Sequence, residues 1–130
     1  MKLLGIDYGT KKVGVAISDE VGNFAFPHSV LLNDEKLLPT LASIIEKEGI
    51  GEVVIGDSKN YNMGDNPVTE DIVTFRNALM EMAGVETHLE LEILTTKQAE
   101  REQGTNAMLD ASAAALILSS FLQKRHGYEL

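Results

Sequence analysis

Apolar and polar positions along this chain change period twice, and the changes divide it into elements. Residues 2–7 (KLLGID) run almost wholly apolar to a terminal acid, as a short buried strand does, and Tyr8-Gly9-Thr10-Lys11 reads as the turn after it. Over 12–18 (KVGVAIS), Val13, Val15 and Ile17 alternate with smaller or polar neighbours, the period of two that marks a strand. A turn cluster at 19–23 leads to a third strand over 24–31, where Pro27 demands an edge position or a bulge. Leu37, Leu41, Ile44 and Ile45 then fall at helical spacing, between candidate N-caps Asn33 or Asp34 and a stop at Gly49. A buried strand follows at 52–56, then loop chemistry over 57–66. Pro67 suits the first turn of a helix striped by Val68, Ile72, Phe75, Leu79 and Met82. Residues 86–94 (ETHLELEIL) predict a strand, and the remainder two helices split near 104–106. Three strands joined by tight turns form an antiparallel meander, and the alternating units after them extend it in parallel. The fold class expected is α/β, a ribonuclease H-like mixed sheet flanked by helices, in one domain over 1–130.

Composition narrows the setting. The chain has 130 residues, 44% of them hydrophobic, with no apolar run near the roughly 20 residues that span a bilayer. Lys2 and Asp7 stand too early for a signal peptide, and there is no cysteine for a disulfide or thiolate site, so a cytoplasmic protein away from membranes is expected. The net charge of −9 opposes nucleic-acid binding, which rests on Lys and Arg neutralising phosphates. It is unevenly spread. Residues 1–18 carry three bases and one acid, 19–92 four bases and fifteen acids, and 93–130 four of each. The acidity therefore lies mainly in the middle, where solvated helix faces account for it.

Three acids stand at the ends of separate elements. Asp7 closes the first strand before a glycine turn, which sets a carboxylate at the sheet's carboxyl edge; a turn-forming Asp accepting local amides would look the same. Glu92 lies late in the strand 86–94, on one face with Glu90 and, further back, His88, although acids on a solvated edge strand share that pattern. Asp110 begins the last helix, where the helix dipole alone would favour an acid; the alanines after it let the helix lie close to the sheet. Together the three make a cluster that persists only when protonated or filled with cations, since two unit charges about 4 Å apart repel by about 4 kcal/mol at an effective dielectric near 20. Hard oxygen ligands select Mg²⁺ or Mn²⁺, and a two-ion site suits phosphodiester displacement, with Asp7 as the central ligand. Lys11, Lys12 and Lys59 are bases beside this site, expected on phosphates with the Gly9-Thr10 turn and the 57–66 loop shaping the groove.

The motifs bearing these residues carry a resemblance. Residues 5–19 (GIDYGTKKVGVAISD), Val53-Val54-Ile55-Gly56 with Asn60, Gly64 and Pro67, Leu94-Thr95-Thr96 with Ala99, and residues 110–118 (DASAAALIL) resemble the YqgF family of Holliday-junction-resolvase-like proteins. That resemblance implies a metal-dependent nuclease acting on precursor 16S ribosomal RNA or branched DNA. It further implies Asp7, Glu92 and Asp110 as catalytic metal ligands and Gly9, Thr10, Lys11, Lys12, Lys59 and Asn60 as nucleic-acid contacts. An immature small ribosomal subunit is the expected partner, and a monomer or weak homodimer the expected state. The chain departs from the family at Leu91-Glu92-Ile93, where an Asp-Glu-Arg triplet is usual. Thr105-Asn106-Ala107-Met108-Leu109 replaces a basic stretch, and Asp57-Ser58-Lys59 a Leu-Pro pair. The departures touch phosphate-binding positions more than the acids. Two rival readings are a kinase-like ATPase, which needs a second lobe, and a binding module that keeps the acids without cleavage. His28, His88 and His126 lie apart and suit surface or packing roles, the methionines 63, 80, 82 and 108 gap-filling, and the stretch 124–128 a frayed end.

Overall fold

A computed structural model of the chain describes residues 1–57, 68–90 and 109–125, with the backbone alone described at 68, 69, 109 and 110. The strands are β1 (Lys2–Asp7), β2 (Lys12–Ser18), β3 (Ala25–Leu32), β4 (Ile50–Gly56) and β5 (Glu86–Leu89). The helices are α1 (Leu37–Glu48), α2 (Val68–Ala83) and α3 (Leu109–Arg125). The sheet runs β3-β2-β1-β4-β5. β1 is antiparallel to β2 and parallel to β4, β2 is antiparallel to β3, and β4 is parallel to β5. This is the antiparallel meander with a parallel extension that the periodicity predicts. Pro27 meets both of its expected conditions: β3 is the outermost strand, and the register against β2 shifts between Val15 and Ala16.

Each face of the sheet has its own core. Leu4, Ile6, Val13, Val15, Val53 and Ile55 pack with Leu37, Leu41 and Ile45 of α1 and Ile72, Phe75 and Leu79 of α2. The opposite face carries Leu3, Ala16 and Val54 against Ala114, Ala115, Ile117, Leu118 and Leu122 of α3. Alternation along β1 thus sends Leu4 and Ile6 to one side and Leu3, Gly5 and Asp7 to the other. The approach of α3 to β1 is so close that a Cβ on Gly5 would stand 2.8 Å from the Leu118 Cβ and 2.9 Å from the Ala114 carbonyl oxygen. The alanine run permits that contact, as its composition suggests: Ala111, Ala113, Ala114 and Ala115 are all buried.

Some expectations are corrected. The N-cap position of α1 is Lys36, with no side-chain cap. Asp34 instead closes the turn before it, accepting from the Lys36 amide at 3.0 Å, and Asn33 bonds elsewhere. β4 begins at Ile50, two residues earlier than its polar Glu52 suggests, because Ile50 is buried. Met80 and Met82 are exposed and fill no gap in the core. The buried stripe of α2 continues from Leu79 toward Ala83, one position beyond Met82. Lys124 and Arg125 lie in the last turn of α3, ion-paired to Glu90 just after β5 and to Glu52 of β4, so they are not part of a frayed end. The strand expected over 86–94 ends at Leu89, with Glu90 already outside it, and residues 91–94, the first of the two C-terminal helices, Met63, Met108 and His126 lie outside the described residues.

Candidate active site

Asp7 ends the central strand and is buried, with 4% of its surface exposed. In register it faces Gly14 of β2 and Gly56 of β4, so neither neighbouring strand contributes a side chain at that level. The helix face opposite is fixed by packing. Leu122 and Leu3 both border Gly22, while Ala114 and Leu118 meet Gly5, so α3 runs antiparallel to β1. Two further strand residues advance about 6.6 Å, the rise of about four helical residues. The first turn of α3, with Asp110 as its second residue, therefore falls at the level of Asp7. Its partial positive charge favours carboxylates there. The backbone of Asp110 thus falls at about the level of Asp7 along the strand, while the Asp110 side chain, Glu92, Lys59 and Asn60 lie outside the described residues. The Asp7 carboxylate is a hard oxygen donor, of the type that suits a hard divalent cation.

The turn after Asp7 is tightly built. The Tyr8 amide donates to the Gly56 carbonyl at 2.7 Å, and its ring packs on Phe75 at 4.9 Å between centroids, tying the strand end to β4 and α2. A Cβ on Gly9 would lie 2.4 Å from the Lys12 carbonyl oxygen, so only glycine closes this turn. Thr10, Lys11 and Lys12 are exposed on it. Asn33, read from the sequence as a helix cap, donates its side-chain amide to the Gly9 carbonyl at 2.7 Å. No local pattern announces that contact, because it spans 24 residues.

A second polar group joins β4 and β5 to the far end of α3. Arg125 donates to both oxygens of Glu52, at 2.5 and 3.1 Å, and the Glu52 carboxylate also meets His88 at 3.2 Å. The His88 ring packs on Phe121, over which Arg125 also lies. Arg125 foremost, against the opposing effect of burial and with help from His88, holds the Glu52 carboxyl below its ordinary value; Glu52 in turn raises Arg125. Glu90 is buried and accepts from Lys124 at 2.5 Å and Ser120 at 3.3 Å. Among the described residues, Glu52, Glu86 and His88 form an acidic group compatible with a divalent ion, their ligand atoms lying within 4.8 Å of one another. That group is not the predicted one. Glu52 registers with Leu3, four residues or about 13 Å along the sheet from the Asp7 level. An ion there would also have to displace the guanidinium that already occupies both Glu52 oxygens. Asp57, read as loop, is buried directly after Gly56. Its signal was an acid closing an apolar strand, the same logic that marks Asp7.

A 3-2-1-4-5 mixed sheet, an antiparallel meander extended in parallel and flanked by helices on both faces, is the ribonuclease H-like fold. Solved structures share the fold. The chain superposes on Thermus thermophilus RuvC in complex with a Holliday junction substrate with a TM-score of 0.65 at 15% identity, over 98% of this chain and 97% of that one. The fowlpox virus Holliday junction resolvase gives 0.57 at 12% identity, over 97% and 99%. The chain belongs to the RuvX family, whose model, described as a Holliday junction resolvase, matches residues 1–124. Relatives named "Putative pre-16S rRNA nuclease" include one from Maridesulfovibrio salexigens, 34% identical over 95% of this chain and 99% of that protein. Another, from Streptococcus pyogenes serotype M2, is 32% identical over 95% and 99%.

Proposed function

We propose that this protein is a metal-dependent nuclease that trims the 5′ region of precursor 16S ribosomal RNA, with Asp7, Glu92 and Asp110 as its metal-binding carboxylates. The observation that carries the reading is Asp7, buried between two glycines in register with the first turn of α3 alongside. The names of the relatives support the substrate class, and the family and the resolvase fold support hydrolysis of a phosphodiester bond. Asp7, Glu92 and Asp110 would hold Mg²⁺ or Mn²⁺, which when bound supplies Lewis-acid polarisation of the phosphate and a water nucleophile at neutral pH. The chain's own groups do the rest. Gly56, in register with Asp7, lets the Glu90 carbonyl and Ile117 pack closely beside the strand end, and the α3 N-terminus offsets part of the carboxylates' mutual repulsion. Lys11 and Lys12 on the exposed turn, with Lys59, Asn60, Gly9 and Thr10, hold the phosphate backbone against an otherwise acidic protein.

Few bases neutralise few phosphates, so affinity for free RNA is weak and salt-sensitive. That favours RNA presented by an immature small ribosomal subunit in the cytoplasm over free branched DNA. Among the described residues no helix is long and apolar enough to cross a membrane. The test compares Mn²⁺-dependent cleavage of precursor RNA, free and in ribosomal particles, with that of a four-way DNA junction, using Asp7→Asn as the blank. Cleavage of the particle-borne RNA, abolished in a well-folded Asp7→Asn protein, is expected. Symmetric junction cutting with intact RNA overturns the substrate, and full activity in Asp7→Asn overturns the site.

A further inference from the structure

Asn33 stands just after β3, far in sequence from the first strand, yet it holds the β1–β2 turn at two points. Its Nδ2 donates to the Gly9 carbonyl at 2.7 Å, and its backbone amide donates to the Lys11 carbonyl at 2.9 Å. The two bonds bracket Thr10. Across the same turn, the Lys12 carbonyl occupies the space where a Cβ on Gly9 would sit. The turn is therefore closed from inside by a backbone contact and braced from outside by one half-buried side chain. Among the described residues Asn33 caps no helix: α1 takes no side-chain cap, and Asp34 makes the turn that leads into it.

We infer that Asn33 is a positioning residue for phosphate binding, setting the backbone from which exposed Lys11 and Lys12 reach a nucleic-acid strand; this rests on the proposed role of that turn. The physical reason is entropic. Lysine side chains carry large rotamer freedom, so their gain on binding a phosphate depends on how little backbone must be ordered at the same moment. A braced turn has met that cost during folding. Without the Asn33 amide, the Gly9 carbonyl loses its donor and the turn samples other conformations before each binding event.

The test uses the full chain, a fluorescein-labelled RNA hairpin read by anisotropy at low salt with EDTA, and thermal melting. Lys11→Gln/Lys12→Gln is expected to weaken binding and flatten its salt slope. Asn33→Ala should weaken binding by about fivefold, the size of one neutral hydrogen bond, with the salt slope unchanged because both lysines remain. Added to the double lysine variant, Asn33→Ala should change Kd by less than about twofold, since its effect passes through those lysines. A lower melting temperature with unchanged Kd overturns the inference and leaves Asn33 a purely structural brace. Effects that add fully also overturn it. A lysine variant that binds as wild type removes the reading of the turn and the inference with it. Asn33→Asp, which keeps the shape but cannot donate to Gly9, should weaken binding at least as far as Asn33→Ala; wild-type affinity in it counts against the brace.

Discussion

Gly5→Ala puts the coupling between fold and site under direct test. The added methyl would stand 2.8 Å from the Leu118 Cβ and 2.9 Å from the Ala114 carbonyl oxygen. Carbon atoms rest about 3.5–4 Å apart, so α3 must retreat from β1 by roughly 0.7–1.2 Å. The Leu118 side chain alone cannot relieve this, because Ala114 presents backbone. Overpacking of this kind costs about 1–3 kcal/mol. The smaller entropy of an unfolded alanine returns about 0.4–1 kcal/mol. A net loss near 1–2 kcal/mol, against about 2.1 cal/mol/K per residue over this length, lowers Tm by about 4–7 °C. The functional loss should be larger than that stability loss implies, because the first turn of α3 moves away from Asp7. A displacement near 1 Å at reacting groups costs on the order of a hundredfold in rate. Calorimetry gives the Tm, and Mn²⁺-dependent cleavage measured at least ten degrees or so below it gives the activity. A Gly5→Ala protein with wild-type Tm and wild-type cleavage would refute the close packing of α3 on β1 and its role in assembling the site.

Two further outcomes are expected. Glu92→Gln and Asp110→Asn should each weaken Mn²⁺ binding by at least about tenfold in calorimetric titration, because one charge fewer offsets cation desolvation; equal binding by wild type and both variants removes the triad. Arg125→Met should flatten the acid side of the stability curve. The Glu52 carboxyl is held below its ordinary value of 4.5, chiefly by Arg125, so its contribution is complete above that value and lost as pH falls through the lower folded one. Wild type should therefore be more stable than Arg125→Met by about 1 kcal/mol at pH 7, the pair being partly exposed, and the gap should close as pH falls below 4.5 through the lower folded value. Parallel urea-denaturation curves from pH 7 to 3 would show that the pair contributes no such term.

What the sequence made legible was whatever is decided locally. Short apolar runs place β1 and β4, a period of two places β2, the spacing of Leu37, Leu41 and Ile45 places α1, and an apolar strand ending in an acid marks Asp7. The same rule marks Asp57, which follows the apolar run Val53-Val54-Ile55-Gly56. Long-range polar pairing left no local trace. Asn33 on Gly9, Arg125 on Glu52 and Lys124 on Glu90 each join residues at least 24 positions apart, and nothing at either partner's position distinguishes it from ordinary surface charge or a cap. Met82 shows the complementary failure, since its spacing from Leu79 fits a helical stripe but the packed stripe turns toward Ala83.

The neighbours β1 and α3 stand at opposite ends of the order of elements. During synthesis Asp7 is made early, while Asp110 and the alanines that seat its helix follow almost a whole domain later. β1 also waits for β4 to complete its parallel edge, so the central strand has only its hairpin partner for much of elongation. Contacts of such long sequence separation form late and slowly. A nascent chain therefore lacks the proposed carboxylate cluster, and on that reading cleavage competence waits until α3 docks. For an enzyme proposed to cut ribosomal RNA, that timing separates its own translation from its activity without any inhibitor.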